Sequence, residues 1–531
     1  MGSRWPGRVP RGYNRSVKPI TFFAALLAGT TTLVGAQGGR PDAATVAAQV
    51  REFRRANEAA IVRELTNLLA IPNVASDTPN IRRNAALLEQ MLARRGFRVT
   101  PLPVLERGPV IVAELPAPGA TRTVLFYAHY DGQPVDPAAW TDTDPFKPAL
   151  RSESIAAGGR LIAFPPAGTP YQDAWRLYAR SASDDKSPIV ALLAAIDALE
   201  ARRIPRAVNV TLVLDSEEEA GSPSLEKTLQ SRRDLTAGDL LISCDGPVHQ
   251  TGRPLVSFGN RGIVDVDLTV YGPVRGLHSG HYGNWAPNPA MRLAQLLASM
   301  KRADGRVLID GFYDDVVPLS EREKQAVAQL PAIDADLMRE LQFGRPEGGG
   351  ASLAELLGLP SLNVRGLRSA YVGAQAQNVV PEKAEASIDI RLVKDIQPER
   401  QFRRLVAHVA KQGFFVVEGR EPTAEERRSH PAVARIDFGG GYPATRFSMD
   451  LPVSIAVSQV LERAAGGGLV KAPTLGGSVP MYIFERLGLP VVGVPIVNYD
   501  NSQHSHNENL RLGEFWRGIE VYAALMASLA W

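Results

Sequence analysis

The chain has 531 residues, of which 45% are hydrophobic and 22% are charged, a composition typical of an ordinary globular protein. A chain of this length seldom forms a single core, so two domains are expected and three are possible. The formal net charge is only +3 and the sequence has neither a basic stripe nor interleaved aromatic residues, which disfavours nucleic acid as a partner.

The first 36 residues differ in composition from the rest. Five basic residues and no acidic residue are followed by an apolar run from Ile20 to Val34 and by small residues up to Ala36. This pattern predicts a secretory signal peptide over residues 1–36, cut after Ala36, and a periplasmic or secreted protein. A membrane anchor is the alternative. The run is shorter than the ~20 residues that span a bilayer, so we expect no stable membrane insertion after cleavage.

Without those five positive charges the formal net charge changes from +3 to −2. Cys244 is the single cysteine, so the chain forms no intramolecular disulfide. Its stability must therefore come from burial of apolar surface and from any bound metal.

Helical and strand patterns alternate after the N-terminal segment. Apolar residues with helical spacing predict helices at Ala43–Ile71, Asn80–Gly96 and Ser187–Arg203. Continuous apolar runs predict buried strands at Thr123–Ala128, Val208–Leu214, Leu240–Ser243 and Leu489–Val497. This alternation predicts an α/β fold in which helices flank a largely parallel sheet.

Near Gly262 the apolar pattern changes from continuous to alternating. Val264–Val270 has the period of two that a half-exposed strand shows. Further helices and strands are predicted at Asn288–Arg302, near Ala370, Ala384–Leu392, Pro398–Gln412 and Phe414–Val417, and the glycine run Gly439–Gly441 is predicted to be a loop. This order predicts an inserted α+β two-layer domain over residues 262–445, between catalytic parts 37–261 and 446–531.

Polar side chains follow the predicted buried strands. They are His129 and Asp131 after the first, Glu218 and Glu219 after the second, Asp245 after the third and His504 beyond the last, with Asp184 before a predicted helix. The carboxyl ends of parallel strands meet at one edge of a sheet, so we expect these groups to converge. Ion pairs with Arg180 or Lys186 are the alternative for any one of them. Together they form a ligand set suited to zinc, cobalt or manganese.

Six segments, in order, resemble the motifs of the co-catalytic zinc exopeptidases. That family includes carnosine dipeptidase, glutamate carboxypeptidase, succinyl-diaminopimelate desuccinylase and the aminoacylases. The segments are His129–Pro134, Tyr178–Lys186, Glu218–Ser222, Leu277–Gly280, Gly476–Pro480 and His504–Glu508. The resemblance covers nearly all of the chain after residue 36. The segment around Gly311–Asp315 is more similar to the dipeptidase branch than to the aminoacylases.

The resemblance implies two divalent metal ions, with zinc as the expected metal and manganese or cobalt as alternatives. His129 and Asp245 would bind one ion, Glu219 and His504 would bind the other, and Asp184 would bridge both.

The resemblance also implies catalytic roles. Glu218 would act as general base on a water that bridges the two metals, and Asp131 would orient His129. The adjacent residues Glu218 and Glu219 are expected in an extended segment, where neighbouring side chains point in opposite directions. A cis peptide bond is expected after Asp184.

On the inserted domain, His278 resembles a histidine that stabilises the oxyanion in the partner subunit's site. The resemblance therefore implies that the inserted domain acts as a lid and as the contact of a homodimer. Asn378, Arg391, Gly477 and Ser478 match positions that hold substrate. From the residues alone, His278 could equally be a turn residue and Arg391 a surface strand residue.

These features predict a metal-dependent hydrolase that cleaves the amide bond of a dipeptide or short peptide. The alternative is a hydrolase of N-acyl amino acids that uses the same centre. Thr474 and Leu475 keep that alternative open, because dipeptidase relatives often have arginine and glutamate there. Glycines that the family places near Ala179, Ser181 and Ser187 are also absent. A non-catalytic binding protein is disfavoured because Glu218 and Asp184 are both present.

Overall fold

A computed structural model describes residues 40–531, which form one compact unit. The predicted signal peptide, residues 1–36, lies outside the described residues. Within residues 40–531 no helix combines the length and the apolar character needed to cross a membrane.

The larger sheet has eight strands. In spatial order they are Arg98–Leu102, Val110–Leu115, Asn209–Asp215, Thr123–His129, Leu240–Ser243, Val491–Gly493, Leu255–Ser257 and Val470–Ala472. The four strands from Asn209–Asp215 to Val491–Gly493 run parallel to one another, while the first two strands are antiparallel additions. The predicted α/β class with a largely parallel sheet is confirmed.

Helices cover both faces of this sheet. On one face, the helices Ala43–Leu69, Lys186–Ala201, Pro452–Ala464 and Leu512–Ser528 bury Phe126 and its neighbours. On the other face, Leu225–Ser231 and Tyr482–Arg486 bury Leu125 and Tyr127. Strand Thr123–His129 is apolar from Val124 to Ala128 because both of its faces are buried, as the continuous run predicted.

A second sheet has five strands, Ser361–Arg368, Lys383–Leu392, Gly262–Tyr271, Val433–Tyr442 and Phe415–Glu418 in spatial order. Helices Pro289–Met300 and Pro398–Lys411 pack on alternate residues of Gly262–Tyr271, from Val264 to Val270. This is the α+β two-layer unit that the alternating pattern predicted. The domain boundaries at residues 262 and 445 stay a prediction. Strand Gly259–Asn260 lies just before the first boundary and pairs with strand Thr445–Arg446 at the second.

The prediction of a loop at Gly439–Gly441 was wrong, because these residues end strand Val433–Tyr442. Gly441 lies opposite Val264, and a Cβ there would come within 2.4 Å of the Ile263 carbonyl oxygen. Gly440 has φ of 112° beside a shift in register near Asp265. The glycines are needed for a bulged strand and a close backbone approach, which local composition did not distinguish from a loop.

Smaller elements complete the fold. Strands Asn509–Arg511, Arg176–Tyr178, Ala149–Arg151 and Leu161–Ile162 form a four-stranded sheet, and Leu277–His278 pairs with Val379–Val380. The remaining helices are Thr78–Ala93, Ser279–Tyr282, Glu321–Ala328, Asp334–Glu340, Leu353–Leu356 and Ala424–Ser429.

Candidate metal centre

The ends of three parallel strands bring the first ligand group together. His129 is the last residue of its strand, Asp245 follows strand Leu240–Ser243, and Glu218 follows strand Asn209–Asp215. These three residues each offer a ligand atom, and the three atoms lie within 4.8 Å of one another. The carboxyl edge of the parallel sheet therefore positions these side chains.

A second group of the same kind consists of Asp184, Glu219 and His504, whose ligand atoms also lie within 4.8 Å of one another. His504 comes from the loop before strand Asn509–Arg511 and has φ of 60°. The structure thus brings all five predicted metal ligands into two adjacent groups. Glu218, predicted as the base, stands in the first of them.

Asp184 lies between the two histidines. Its Oδ1 is 2.9 Å from His129 Nε2 and its Oδ2 is 3.0 Å from His504 Nε2. One carboxylate thus offers one oxygen to each group, which is the geometry required of a bridging ligand. The expected cis peptide bond is present between Asp184 and Asp185.

The two histidines and Asp184 influence one another electrostatically. Burial alone would lower the pKa of His129, but its contacts with Asp131 and Asp184 outweigh burial and raise it well above the usual value. The contact with Asp184 raises the pKa of His504 to about 9. Burial opposes ionisation of Asp184, yet both histidines outweigh it and lower the pKa of that carboxyl.

The other three carboxyls repel one another. Burial and the negative charge of Asp184 raise the pKa of Glu219 to about 7 and that of Asp245 to about 6. Burial, together with Asp245 and Glu219, raises the pKa of Glu218 well above its usual value. Cations placed between these groups would relieve the repulsion.

This donor set fits divalent metal ions. It combines imidazole nitrogens with carboxylate oxygens and contains no thiolate, since Cys244 is buried and belongs to neither group. Zinc, cobalt and manganese accept such ligands, whereas a structural zinc site usually contains cysteine.

Asp131 holds the first group in place. Its Oδ1 lies 3.3 Å from His129 Nδ1, and its two oxygens accept the backbone N–H groups of Glu218 at 3.1 Å and Glu219 at 3.0 Å. This fully buried carboxylate thus contacts a histidine of one group and the backbone of the two adjacent glutamates.

The expectation of an extended segment at Glu218 and Glu219 was wrong. Glu218–Ala220 is a short 3-10 helix, and Asp131 accepts the N–H groups at its start. The two glutamates belong to different ligand groups because they lie at successive positions of a tight helical turn. The apolar run before Glu218 predicted the strand but gave no signal for this turn.

Glu508 holds the loop that carries Asp184. Its fully buried carboxylate accepts the backbone N–H groups of Ser181 at 2.9 Å, Ser183 at 2.9 Å and Asp184 at 3.0 Å, and pairs with Arg180 Nη1 at 2.7 Å. Ser181 has φ of 61°, a left-handed conformation that glycine adopts more readily than serine. Glu508 lies in the segment His504–Glu508, which resembles a family motif, but its residue type alone did not predict a role for it.

Two amides near the centre were also missed. Gln133 Nε2 donates to Glu219 Oε2 at 2.7 Å, and Gln503 Nε2 lies 3.4 Å from Asp184 Oδ2. Gln133 belongs to the segment His129–Pro134, whose motif character was the only signal for it.

A cavity of about 940 Å³ opens on the two groups. Arg391, Gly477 and Ser478, predicted to hold substrate, line it together with Asp184, Glu218, Asp245 and His504. Arg391 Nη1 donates to Ser478 Oγ at 2.7 Å. The structure therefore places three of the four predicted substrate contacts in the cavity.

Two further residues predicted to act on substrate lie away from the cavity. His278 and Asn378 are both exposed and do not line the cavity. They are neighbours, because the N–H of Ser279 donates to the carbonyl of Asn378 at 2.9 Å. The ring of His278 lies beside that of His281, with centroids 4.6 Å apart and the ring planes tilted by 37°.

The chain is similar to known peptidases. The sequence profile of peptidase family M20/M25/M40 matches residues 125–528. The chain is 24% identical over 494 residues to the Cys-Gly metallodipeptidase DUG1 of Saccharomyces cerevisiae, covering 87% of this chain and 94% of that protein. It is 26% identical over 436 residues to the human Beta-Ala-His dipeptidase, covering 80% of this chain and 78% of that protein.

A solved structure shows the same fold. The M20 family metallo-carboxypeptidase Sso-CP2 of Sulfolobus solfataricus superposes with a TM-score of 0.71 at 27% sequence identity. The superposition covers 88% of this chain and 98% of the other.

Proposed function

The chain belongs to peptidase family M20/M25/M40, and from this membership we propose that it is a two-metal dipeptidase in which Glu218 is the general base. The observation that carries the proposal is Asp184, which offers one carboxylate oxygen to the histidine of each ligand group. Relatives named as dipeptidases, matched over 94% and 78% of their lengths, support the substrate class. They disfavour the alternative of an N-acyl amino acid hydrolase.

We assign five residues to the metal ions. His129 and Asp245 would hold one ion, Glu219 and His504 the other, and Asp184 both. Bound there, two divalent ions polarise the scissile carbonyl and lower the pKa of a water. Nitrogen and carboxylate donors support zinc as the metal, with manganese and cobalt as alternatives.

Glu218 moves the proton. Its carboxylate lines the cavity, and Oε2 lies 3.9 Å from His129 Nε2, within the first ligand group. It takes a proton from the water that attacks the carbonyl carbon. When the C–N bond breaks, it gives that proton to the leaving amine, so the products are two amino acids. Asp131 fixes the backbone of Glu218 throughout.

Arg391 and Ser478 are proposed to bind the free carboxylate of the substrate. A guanidinium binds a carboxylate through two parallel hydrogen bonds, and Arg391 lines the same cavity as Glu218. Gly477, beside Ser478, leaves room for the substrate backbone.

We further propose that His278 and Asn378 act in the partner subunit's site of a homodimer. The exposure of both residues in their own subunit supports this. Exposed apolar side chains nearby in sequence, Val274, Trp285, Tyr371 and Val372, are of the kind that subunit interfaces cover.

Secretion to the periplasm or the medium is also proposed, supported by the basic, apolar and small-residue pattern of residues 1–36. Mass spectrometry of the mature protein would find Gln37 at its N-terminus if cleavage follows Ala36. A mature chain that retains residues 1–36 would contradict this.

The function is tested with purified protein loaded with zinc or manganese and a panel of dipeptides and N-acetylated amino acids. We expect hydrolysis of free dipeptides that depends on metal and is abolished by chelation. Glu218→Gln should retain two metal ions per chain by elemental analysis and lose at least about a thousandfold in kcat. Unchanged turnover in that variant would contradict the proposed base.

A further inference from the structure

One wall of the cavity is formed by apolar side chains far from the ligand groups in sequence. The helices Glu321–Ala328 and Leu353–Leu356 and their flanking residues contribute Leu330, Ile333, Leu353 and Leu357, which we call the apolar wall. All four side chains are half-buried, so they keep surface exposed to the cavity. Leu475, from the loop that carries Ser478, lines the same cavity.

The charged groups of this region are engaged locally. Lys324 Nζ donates to Glu321 at 2.7 Å, and Asp334 Oδ1 accepts the N–H of Leu353 at 2.8 Å. Glu355 accepts the N–H and hydroxyl of Ser352 at 2.8 and 2.9 Å. The polar groups beside the wall are thus hydrogen-bonded to one another within the helices Glu321–Ala328, Asp334–Glu340 and Leu353–Leu356 and the residues that begin them.

The apolar wall contacts the loop proposed to bind the substrate carboxylate. A Cβ placed on Gly476 would lie 3.0 Å from Leu357 Cδ2, so Leu357 packs directly against Gly476. Two residues further along this loop, Ser478 accepts from Arg391 at 2.7 Å. A carboxylate held by Arg391 and Ser478 would therefore contact the same loop that Leu357 packs against.

Arg261 fixes this arrangement. It is buried, and its Nη2 donates to the carbonyl of Leu359 at 2.7 Å and to Ser361 Oγ at 2.9 Å. Its own N–H donates to the carbonyl of Leu475 at 3.3 Å. One residue therefore ties the chain that follows Leu357 to the loop that carries Leu475 and Ser478.

We propose that the apolar wall selects dipeptides whose carboxyl-terminal residue is large and apolar. The inference rests on the proposed dipeptidase function and on Arg391 as the carboxylate contact. The cavity of about 940 Å³ is near the upper end of ligand pockets, which span ~300–1,000 Å³, and a dipeptide of small residues leaves much of it unfilled. A large apolar side chain of the substrate leaves water when it packs against Leu353, Leu357 and Leu475, and this burial stabilises the complex.

The first test compares kcat/KM for Ala-Leu, Ala-Phe, Ala-Gly, Ala-Glu and Leu-Gly. We expect Ala-Leu and Ala-Phe to exceed Ala-Gly and Ala-Glu by about tenfold to a hundredfold, as apolar pockets discriminate by this much. Leu-Gly should resemble Ala-Gly. Equal values for Ala-Leu and Ala-Gly, or a preference only for the amino-terminal residue, would overturn the proposal.

The second test changes the wall. Leu357→Ala should lower kcat/KM for Ala-Leu by a larger factor than kcat/KM for Ala-Gly, so that most of the preference for Ala-Leu is lost. Leu357→Arg, which places a cation beside Gly476, should shift the preference towards Ala-Glu. Leu356→Ala is the matched control, since Leu356 is the preceding residue, packs near Gly348 and does not line the cavity. A preference that survives in both Leu357 variants would contradict the wall.

Binding separates this proposal from the proposed function. Calorimetry with Ala-Leu and Ala-Gly on metal-loaded Glu218→Gln measures the preference without turnover. Tighter binding of Ala-Leu supports the wall even if the wild-type protein hydrolyses no dipeptide, an outcome that would refute the function alone. Equal binding of the two dipeptides would refute the wall even if both are hydrolysed.

Discussion

Arg391 Nη1 donates to Ser478 Oγ at 2.7 Å, and the Ser478 hydroxyl is also 3.2 Å from the carbonyl oxygen of Gly262. Arg391 ends a strand of the five-stranded sheet, whereas Ser478 lies in a loop that follows a strand of the eight-stranded sheet. The two sheets therefore meet through side chains at the wall of the cavity. A shift of one sheet relative to the other would move the Arg391 guanidinium away from Ser478.

Arg391→Lys should raise KM for dipeptides by about tenfold or more and change kcat less. Lysine offers a single charged nitrogen in place of the planar fork that binds a carboxylate in two places. Steady-state kinetics with Ala-Leu would measure the changes in KM and kcat separately. Arg435→Lys is the matched control, because Arg435 lies on the same sheet, pairs with Asp437 at 2.7 Å and does not line the cavity. Equal effects of the two changes would contradict a carboxylate contact.

Glu508→Gln should weaken metal binding as well as the fold. The amide cannot accept all the N–H donors that Glu508 accepts, and Arg180 keeps a buried charge without its partner. We expect a loss of about 3–5 kcal/mol in the free energy of unfolding and a metal affinity lower by about tenfold to a hundredfold. Thermal unfolding and competition with a chelator would measure the two effects.

Glu520→Gln provides the control for Glu508. Glu520 is buried and pairs with Arg51 at 2.7 Å, outside both ligand groups. It should destabilise the fold without a change in metal affinity. If Glu508→Gln also leaves metal affinity unchanged, Glu508 supports the fold only.

His278→Ala and Glu218→Gln should each be inactive alone and active when mixed. In a mixed dimer, the subunit with alanine at position 278 keeps Glu218 and receives His278 from its partner. The mixture should recover a substantial part of wild-type activity after subunit exchange, measured with Ala-Leu. Absence of recovery, with exchange verified by mass spectrometry, would show that His278 does not act across the interface.

Asp215 gives a prediction for the pH dependence of stability. Burial, together with the charge of Asp131, raises the pKa of Asp215 from 3.8 to about 6. Between these values the folded protein binds more protons than the unfolded chain, so stability falls as pH rises through this window. Asp215→Asn removes the titrating carboxyl and with it this pH dependence. The free energy of unfolding of Asp215→Asn minus that of the wild type should be more positive at pH 8 than at pH 5 by about 1.4 kcal/mol.

Denaturant unfolding of both proteins without metal would measure this difference. Asp239→Asn is the control, since Asp239 forms an ion pair with Arg122 at 2.6 Å near the surface. A pH-independent effect of Asp215→Asn would refute the cause given for the raised pKa.

The sequence predicted the part of the fold that depends on strand burial. The runs at Thr123–Ala128 and Leu240–Ser243 are strands within one residue of their predicted ends. The run Leu489–Val497 was predicted too long, because only Val491–Gly493 pairs in the sheet. Apolar character reports burial, and a buried loop is as apolar as a strand.

For the site, the strand-end rule and the motifs together identified residues that the structure brings into two groups. They did not reveal the turn at Glu218 or the hydrogen bonds of Glu508, because both depend on contacts between residues distant in sequence. The sequence did not predict the apolar wall, for a similar reason. Helical spacing at Leu353 and Leu357 shows an apolar face, but the surface that this face contacts is decided by tertiary packing.

The contact between Glu508 and the loop at Asp184 also bears on how the protein is made. The ribosome synthesises Asp184 long before Glu508, so the backbone N–H groups of Ser181, Ser183 and Asp184 lack their acceptor during most of translation. The ligand group of Asp184, Glu219 and His504 can then be complete only once His504 and Glu508 have been added. The order of synthesis therefore delays peptidase activity until the chain is nearly finished.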